Sequence, residues 1–219
     1  MLKLFIYMIL SLLLLNANEY DTINKKLLNA SNLGNLQLIR SVLKQGANIN
    51  IKDHRGRTSL MIATYNNDYE TSKLLIVEGA NVNILDNLLN NPFLYAGAEG
   101  YIDILRLTID AGADASLLNR YGGTALIPAS EHGYVDVVKL ILTKTNTDVN
   151  LINHLGWTAL LEAIILSNGN KNQQETIKLL IEYGADVNIK DFNNVSPYEH
   201  AKRRGFKEIE KILLNANAL

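Results

Sequence analysis

Apolar and polar positions along this chain follow two nested periods. The short period is helical. Ser72-Lys-Leu-Leu-Ile76, Leu105-Arg-Leu-Thr-Ile109, Val138-Lys-Leu-Ile-Leu142 and Ile177-Lys-Leu-Leu-Ile181 each place apolar residues on one side of an amphipathic helix. The long period sets a phrase at fixed intervals: Thr58-Ser-Leu-Met-Ile-Ala63, Asn91-Pro-Phe-Leu-Tyr-Ala96, Thr124-Ala-Leu-Ile-Pro-Ala129, Thr158-Ala-Leu-Leu-Glu-Ala163 and Ser196-Pro-Tyr-Glu-His-Ala201. Their starts differ by 33, 33, 34 and 38 residues. A second phrase keeps step with the first: Gly46-Ala-Asn-Ile-Asn50, Gly79-Ala-Asn-Val-Asn83, Gly112-Ala-Asp-Ala-Ser116, Asn146-Thr-Asp-Val-Asn150 and Gly184-Ala-Asp-Val-Asn188. Two phrases locked in one phase predict a repeated structural unit.

Each position in the phrases has a physical reason. Thr58, Thr124, Thr158 and Ser196 precede apolar helical runs, where a hydroxyl accepts an orphan backbone N–H of the first turn. Ala63, Ala96, Ala129, Ala163 and Ala201 recur where small residues let two helices approach closely. Gly46, Gly79, Gly112 and Gly184 end the second helices in the left-handed conformation, with Asn146 expected to substitute in the fourth unit. The period therefore encodes helix, turn, helix and hairpin. Gly122 to Leu142, which combines a glycine turn, Pro128 and Glu131-His132-Gly133, reads as one such unit and not as a catalytic loop. Pro128 falls in the first helical turn or just beyond, where its missing N–H costs little.

These phrases resemble the ankyrin repeat family, whose pattern D-x-x-G-x-T-P-L-H-x-A, second helix, G-A-D-V-N is matched in phase from about Asp53 to Leu214. The preceding segment, KKLLNASNLGNLQLIRSVLKQGANIN, resembles an N-terminal capping repeat. The resemblance implies an all-α ankyrin-repeat solenoid with short β-hairpin loops: about five repeats plus the N-terminal partial repeat, in one domain over 18–219. The expected units are approximately 20–52, 53–85, 86–118, 119–152, 153–190 and 191–219. The family's proline is replaced by Ser59, Ala125 and Ala159, and its histidine by Met61, Leu94, Ile127, Leu161 and Glu199, so apolar packing is expected to join the units here. Leu89 and Asn91 stand where glycine and threonine are expected, which predicts an irregular hairpin in that unit.

The family resemblance also implies a protein-binding surface of hairpins and first helices on a concave face. The residues this assigns to partner binding are His54, Arg55, Arg57, Tyr65, Asn87, Leu88, Glu99, Arg120, Tyr121, Glu131, His132, His154, Leu155 and Trp157. Trp157 has an equal alternative, packing against the neighbouring unit. Glu99 and His132 occupy the same position in neighbouring units and are expected to pair across the surface. The phrases GGTALIPASEHG and NHLGWTALLEAI also look like a group of bacterial ankyrin proteins with leaders. That likeness implies a scaffold for a protein partner. The alternatives are an inhibitor or immunity protein for an envelope toxin or hydrolase, or an accessory factor of a periplasmic enzyme such as catalase.

Composition narrows the remaining classes. Lysine plus arginine number 21 against 22 acids, a net charge of −1, without the basic excess of a nucleic-acid binder. The sequence has no cysteine, which excludes disulfides, a thiolate nucleophile and a lipid-anchored cysteine. Residues 1–17 carry Lys3, an apolar run from Leu4 to Leu15 and then Asn16-Ala17, the order of a cleaved signal peptide. Twelve helical residues reach roughly 18 Å, short of a bilayer core of ~30 Å. The expectation is an exported monomer, periplasmic or secreted, without stable membrane insertion after the leader is removed.

No G-x-S-x-G, H-E-x-x-H or phosphate-loop motif occurs. No enzymatic activity, cofactor or metal is expected. The polar stretch Ser167 to Gln174 adds five residues between the two helices of the fifth unit and is expected as a loop, either a binding loop or a tolerated insertion. The abundance of asparagine reads as compositional bias. Lys202-Arg-Arg204, Lys207 and Lys211, interleaved with Glu199, Glu208 and Glu210, read as the polar outer face of a terminal repeat.

Overall fold

The computed structural model describes residues 21–218; the leader expected over 1–17 lies outside them. The described residues divide into two compact units, 21–86 and 87–218. In the first, α1 (21–32) pairs with α2 (Leu36–Lys44) and α3 (Ser59–Tyr65) with α4 (Tyr69–Val77). In the second, the pairs are α5 (Pro92–Glu99) with α6 (Ile102–Asp110), α7 (Leu126–His132) with α8 (Val135–Lys144), α9 (Ala159–Ile165) with α10 (Lys171–Glu182), and α11 (Pro197–Arg203) with α12 (Lys207–Asn215). There first helices pack on first helices, α5 on α7, α7 on α9 and α9 on α11, while α6, α8, α10 and α12 form the adjoining row. This is a solenoid of helix-turn-helix repeats, as the sequence period requires.

The core follows the phrases. Ala63, Ala96, Ala129, Ala163 and Ala201 are all fully buried on the first helices. On the second helices, Leu105, Val138 and Ile177 are buried together with Thr108, Ile141 and Leu180 three residues on, so each presents one i, i+3 stripe inward. Met61, Leu94, Ile127 and Leu161 are buried where the family carries histidine, and their packing replaces its hydrogen bonds.

Thr58, Thr158 and Ser196 cap their helices as expected, accepting from the N–H of Met61, Leu161 and Glu199 at 3.1, 3.2 and 3.2 Å. Glu199 returns a carboxylate to the N–H of Ser196 at 2.8 Å and completes a capping box. Thr124 does not cap. Its equivalents present a backbone carbonyl to the residue four on, Ile62 N–H to Thr58 O and Glu162 N–H to Thr158 O for example. That donor is missing at Pro128, so the N–H of Ile127 takes the Thr124 carbonyl instead, at 3.3 Å, and tightens the first turn. The Ile127 N–H is then not given to the Thr124 hydroxyl, which meets Thr147 Oγ1 at 3.4 Å.

The second helices close on glycine, as at Gly79 (φ 93°), where the N–H of Gly79 reaches Ile76 O and the N–H of Ala80 reaches Leu75 O. Asn146 is the exception to the expectation. It is not left-handed; α8 runs one residue longer than α4 or α6 and stops at Thr145 in an extended conformation (φ −129°). The Thr145 hydroxyl donates to Ile141 O at 2.8 Å, which removes the need for a left-handed cap.

Among the described residues no strand forms, only the isolated bridge between Lys52 and Thr58. The hairpins are held instead by an Asx oxygen. Oδ1 of Asn119 accepts from the N–H groups of Tyr121 and Gly123, Oδ1 of Asn153 from Leu155 and Trp157, and Oδ1 of Asp191 from Asn193 and Val195. The turn then needs a left-handed residue, filled by Gly56, Gly122, Gly156 and Asn194. Leu89 fills the same position at φ 58°, so the hairpin expected to be irregular keeps the left-handed turn residue and holds leucine in it. Leu89→Gly is expected to raise stability by about 1 kcal/mol, read as a higher urea midpoint with unchanged slope.

Two other expectations change. The polar stretch Ser167 to Gln174 is half helix: Asn170 caps α10 by accepting from Asn172 and Gln173, and α10 reaches 12 residues. Gln173 is buried and donates to Glu131 O at 3.2 Å, so the insertion packs back on the preceding unit. The asparagines are structural. Asn50 Oδ1 accepts from the N–H of Asn81 at 2.9 Å in the first unit, and Asn150 Oδ1 from the N–H of Asp186 at 2.8 Å in the second, bridging successive repeats.

Candidate functional site

The Asx-anchored turns hold the residue before the left-handed position out into solvent. In the second unit these residues are Leu88, Tyr121, Leu155 and Asn193, and the first three are exposed by 53%, 51% and 51%. Leu88, Tyr121 and Leu155 follow one another at one per repeat, so apolar side chains stand at the tips of three successive hairpins, and the fourth carries Asn193.

Beside Tyr121 and Leu155 lies a pocket of about 360 Å³, between the hairpins and first helices of the second unit. Glu99, Arg120, Tyr121, Glu131 and Leu155 line it, so five of the residues assigned from sequence converge there. Arg120 is folded onto Tyr121, with its guanidinium carbon 4.6 Å from the ring centroid and Nη2 donating to the hydroxyl at 3.0 Å.

The other assigned residues are elsewhere. Trp157 is half-buried and outside the pocket; His132 is exposed and also outside it, its ring centroid 5.3 Å from that of Tyr134. His132 forms no ion pair with Glu99; the tyrosine one turn away takes up the imidazole face. His154 is exposed, but its ring covers Gly122 so closely that an added Cβ there would lie 2.5 Å from it. Asn87 is exposed with Leu88 at its tip.

In the first unit, His54 and Arg57 line a separate hollow with Lys25, Asn29 and Asp53. Arg57 is held there by Asp53, Nε and Nη2 donating to Oδ2 at 2.8 and 2.7 Å. Burial would raise the Asp53 pKa, but the hydrogen bonds from Arg57 and the N–H of Arg55 hold it below the usual carboxylate value. Arg55 is exposed, and Tyr65 donates to Asp86 Oδ2 at 2.6 Å.

Glu162, Asn153 and Tyr95 also line the second unit's pocket, and the sequence analysis assigned them no role. Glu162 is 5% exposed and projects from α9 toward the hairpin, where Asn153 Nδ2 donates to its Oε1 at 2.7 Å. Both N–H bonds to Asn153 Oδ1 fix the amide's orientation, so its NH₂ must face Glu162. Burial, and then the negative charge of Glu131, raise the Glu162 pKa to about 7 against the bond from Asn153. Burial, then Glu99 and Tyr101, likewise raise Tyr95. The available signal was a single carboxylate inside the otherwise apolar run Ala159-Leu-Leu-Glu-Ala-Ile-Ile165. The next repeat pairs equivalent positions, His200 Nε2 lying 2.8 Å from Asp191 Oδ2.

Stacked helix pairs with Asx-held hairpins define a helical repeat protein whose exposed groups sit on turns. The family model described as Ankyrin repeats (3 copies) matches residues 9–86, 27–116, 93–191 and 126–218, and the chain belongs to the ankyrin repeat family. An ankyrin repeat domain from Acinetobacter baumannii AYE superposes with a TM-score of 0.86 at 48% identity, over 88% of this chain and 98% of that one. The ankyrin repeat protein EF0377 gives a TM-score of 0.83 at 40% identity, over 86% of this chain and 96% of the other. YahD of Escherichia coli (strain K12), described as an ankyrin repeat protein, is 45% identical over 78 residues, 36% of this chain and 39% of its own length. L289 of Acanthamoeba polyphaga mimivirus is 46% identical over 52 residues, 24% of this chain and 9% of its own length. Ankyrin repeats are generally protein–protein interaction scaffolds and typically non-enzymatic. No helix among the described residues is long and apolar enough to cross a membrane.

Proposed function

We propose that this chain is an exported, non-enzymatic scaffold that binds a protein partner through the hairpin tips and adjoining first helices of its second unit. The row Leu88, Tyr121 and Leu155 carries the reading. Three half-exposed apolar side chains on rigid turns lose little conformational freedom on binding, which suits them as anchors. The turns under Tyr121 and Leu155 are held by Asn119 with Gly122 and by Asn153 with Gly156, so these two tips can vary without disturbing the stack. The leader-like residues 1–17 support export.

The test is a triple variant, Leu88→Ser, Tyr121→Ser and Leu155→Ser. Its helical circular dichroism and melting temperature are expected to match the parent. A partner captured from the envelope fraction of the source cells by the parent protein, then purified, is expected to bind the variant at least roughly tenfold more weakly. Equal affinity for both proteins would move the interface away from these tips.

A further inference from the structure

We propose that the pocket bounded by Glu99, Glu131 and Glu162 receives a lysine or arginine side chain of the partner, with Tyr95 and Tyr121 beside the cation. This rests on the scaffold reading and specifies the chemistry of the partner. Glu162 is 95% buried, and among the described residues Asn153 is its one hydrogen-bond partner; Oε2 takes no hydrogen bond from them and is open to the pocket. A carboxylate offers about four acceptor directions, so Oε2 has free directions for a donor that enters through the opening. The single cation lining the pocket, Arg120, is already stacked on and bonded to Tyr121. Three carboxylates therefore face the opening against one guanidinium, which leaves its lining net acidic.

The dimensions select the class of cation. Among the described residues no group of three or more histidine or acidic side chains is placed to hold a metal ion. A volume of about 360 Å³ with tyrosine rings in its wall instead suits an extended organic cation. The pocket adjoins the Tyr121 and Leu155 tips, so one docking segment can fill it and cover both. An entering guanidinium or ammonium would supply the hydrogen bonds Glu162 lacks and the charge that Glu131 repels.

Binding requires the Glu162 carboxylate, so affinity should rise with pH. Glu131 of α7 faces Glu162, and Glu99, Tyr95, Arg120 and Tyr121 share the pocket. On α11, His200 is engaged by Asp191, and on α10 Lys171, Glu175 and Lys178 are exposed. With Glu162 titrating at about 7, the cation should bind at least roughly tenfold more tightly at pH 8 than at pH 5.5.

The probe is the blocked tripeptide glycine-arginine-glycine, titrated into the full ¹⁵N-labelled chain by NMR, with glycine-citrulline-glycine as the uncharged control. The expected result is saturable shifts of the Asn153 side-chain amide and the Tyr121 and Leu155 backbone amides with the arginine peptide alone. These should be stronger at pH 8 and lost in the double variant Glu131→Gln, Glu162→Gln. Equal shifts from citrulline, shifts unaffected by the double variant, or none at saturating peptide would each overturn the proposal. The two readings separate in the capture experiment. A partner held by the double variant as tightly as by the parent, yet lost with the tip variant, would refute the cation pocket and leave the scaffold standing.

Discussion

Phe93→Ala is expected to cost about 3–5 kcal/mol of the second unit's stability. Phe93 sits two residues after the capping Asn91, where three other repeats place Leu60, Leu126 and Leu160 and the last places Tyr198, and among the described residues it heads the fully buried side chains. It lies in the first turn of α5, whose cap is fixed by Asn91 Oδ1 accepting from the N–H of Leu94 at 2.8 Å. The backbone there cannot easily follow the shrinking side chain, so a cavity remains and its cost adds to the lost burial. Gly97, one turn on, is already so close to Ala125 that an added Cβ would lie 2.8 Å from the Ala125 Cβ, which leaves α5 and α7 little room to slide together. Phe93→Leu supplies the residue of three other repeats and should cost only about 1–2 kcal/mol. Urea unfolding of both variants followed by circular dichroism measures this, and a loss under about 1 kcal/mol for the alanine variant would mean the site collapses freely. In a linear stack each repeat is stabilised mainly by its neighbours, so the alanine variant should also lower cooperativity and reduce the urea slope.

The stack was legible in the sequence because each repeat meets the same local demands. A capping oxygen, a small residue at the helix crossing and a left-handed residue after the second helix are requirements of a few consecutive backbone atoms. Thr58, Ala163 and Gly184 could be assigned from neighbours in the chain alone. The exceptions arose where a second local rule overrode the first. Pro128 removed the N–H that its equivalents give to the capping carbonyl, and Thr145 closed α8 before Asn146 was needed. Asn170 recruited four residues of an apparent loop into α10.

The site was harder to read, because it depends on contacts between separate elements. Exposure of the tips follows from their place in the turn, and Leu88, Tyr121 and Leu155, assigned to partner binding, stand exposed there. Arg57, in contrast, is held by Asp53, and Tyr65 by Asp86, partners that the period alone does not specify. Glu162 was hidden because its position, counted along the repeat, carries Ile62, Tyr95, Pro128 and His200 in the other units, a set without common chemistry. Its meaning appears only when the Asn153 amide, turned by two backbone N–H groups of its own hairpin, is seen to point at it.

Glu162 should make the protein less stable as pH rises, and Glu162→Gln should abolish that loss. The folded protein holds the Glu162 proton up to about pH 7, whereas an ordinary glutamate releases it near 4.5. Between those values the native state binds the proton that the unfolded state gives up, so stability falls with increasing pH through the window and levels off above about 7. The gap corresponds to about 3 kcal/mol at ~1.4 kcal/mol per pH unit, most of it lost between pH 5 and pH 8. The depressed pKa values of Asp53 and Asp191 act in the opposite sense and only at lower pH, since both carboxylates are already ionised through this window. Glutamine keeps the acceptor that Asn153 requires and removes the charge that burial and Glu131 oppose. The variant should therefore match the parent at pH 5 and exceed it by about 2–3 kcal/mol at pH 8, measured as urea unfolding free energies of both proteins at the two values. The difference between the two proteins reports the Glu162 charge together with its repulsion by Glu131. Parallel pH profiles would show that this carboxylate is ionised in the folded protein at the same pH as in the unfolded one, and that the enclosure by Glu131, Asn153 and the apolar face of α9 exerts no net cost on its charge.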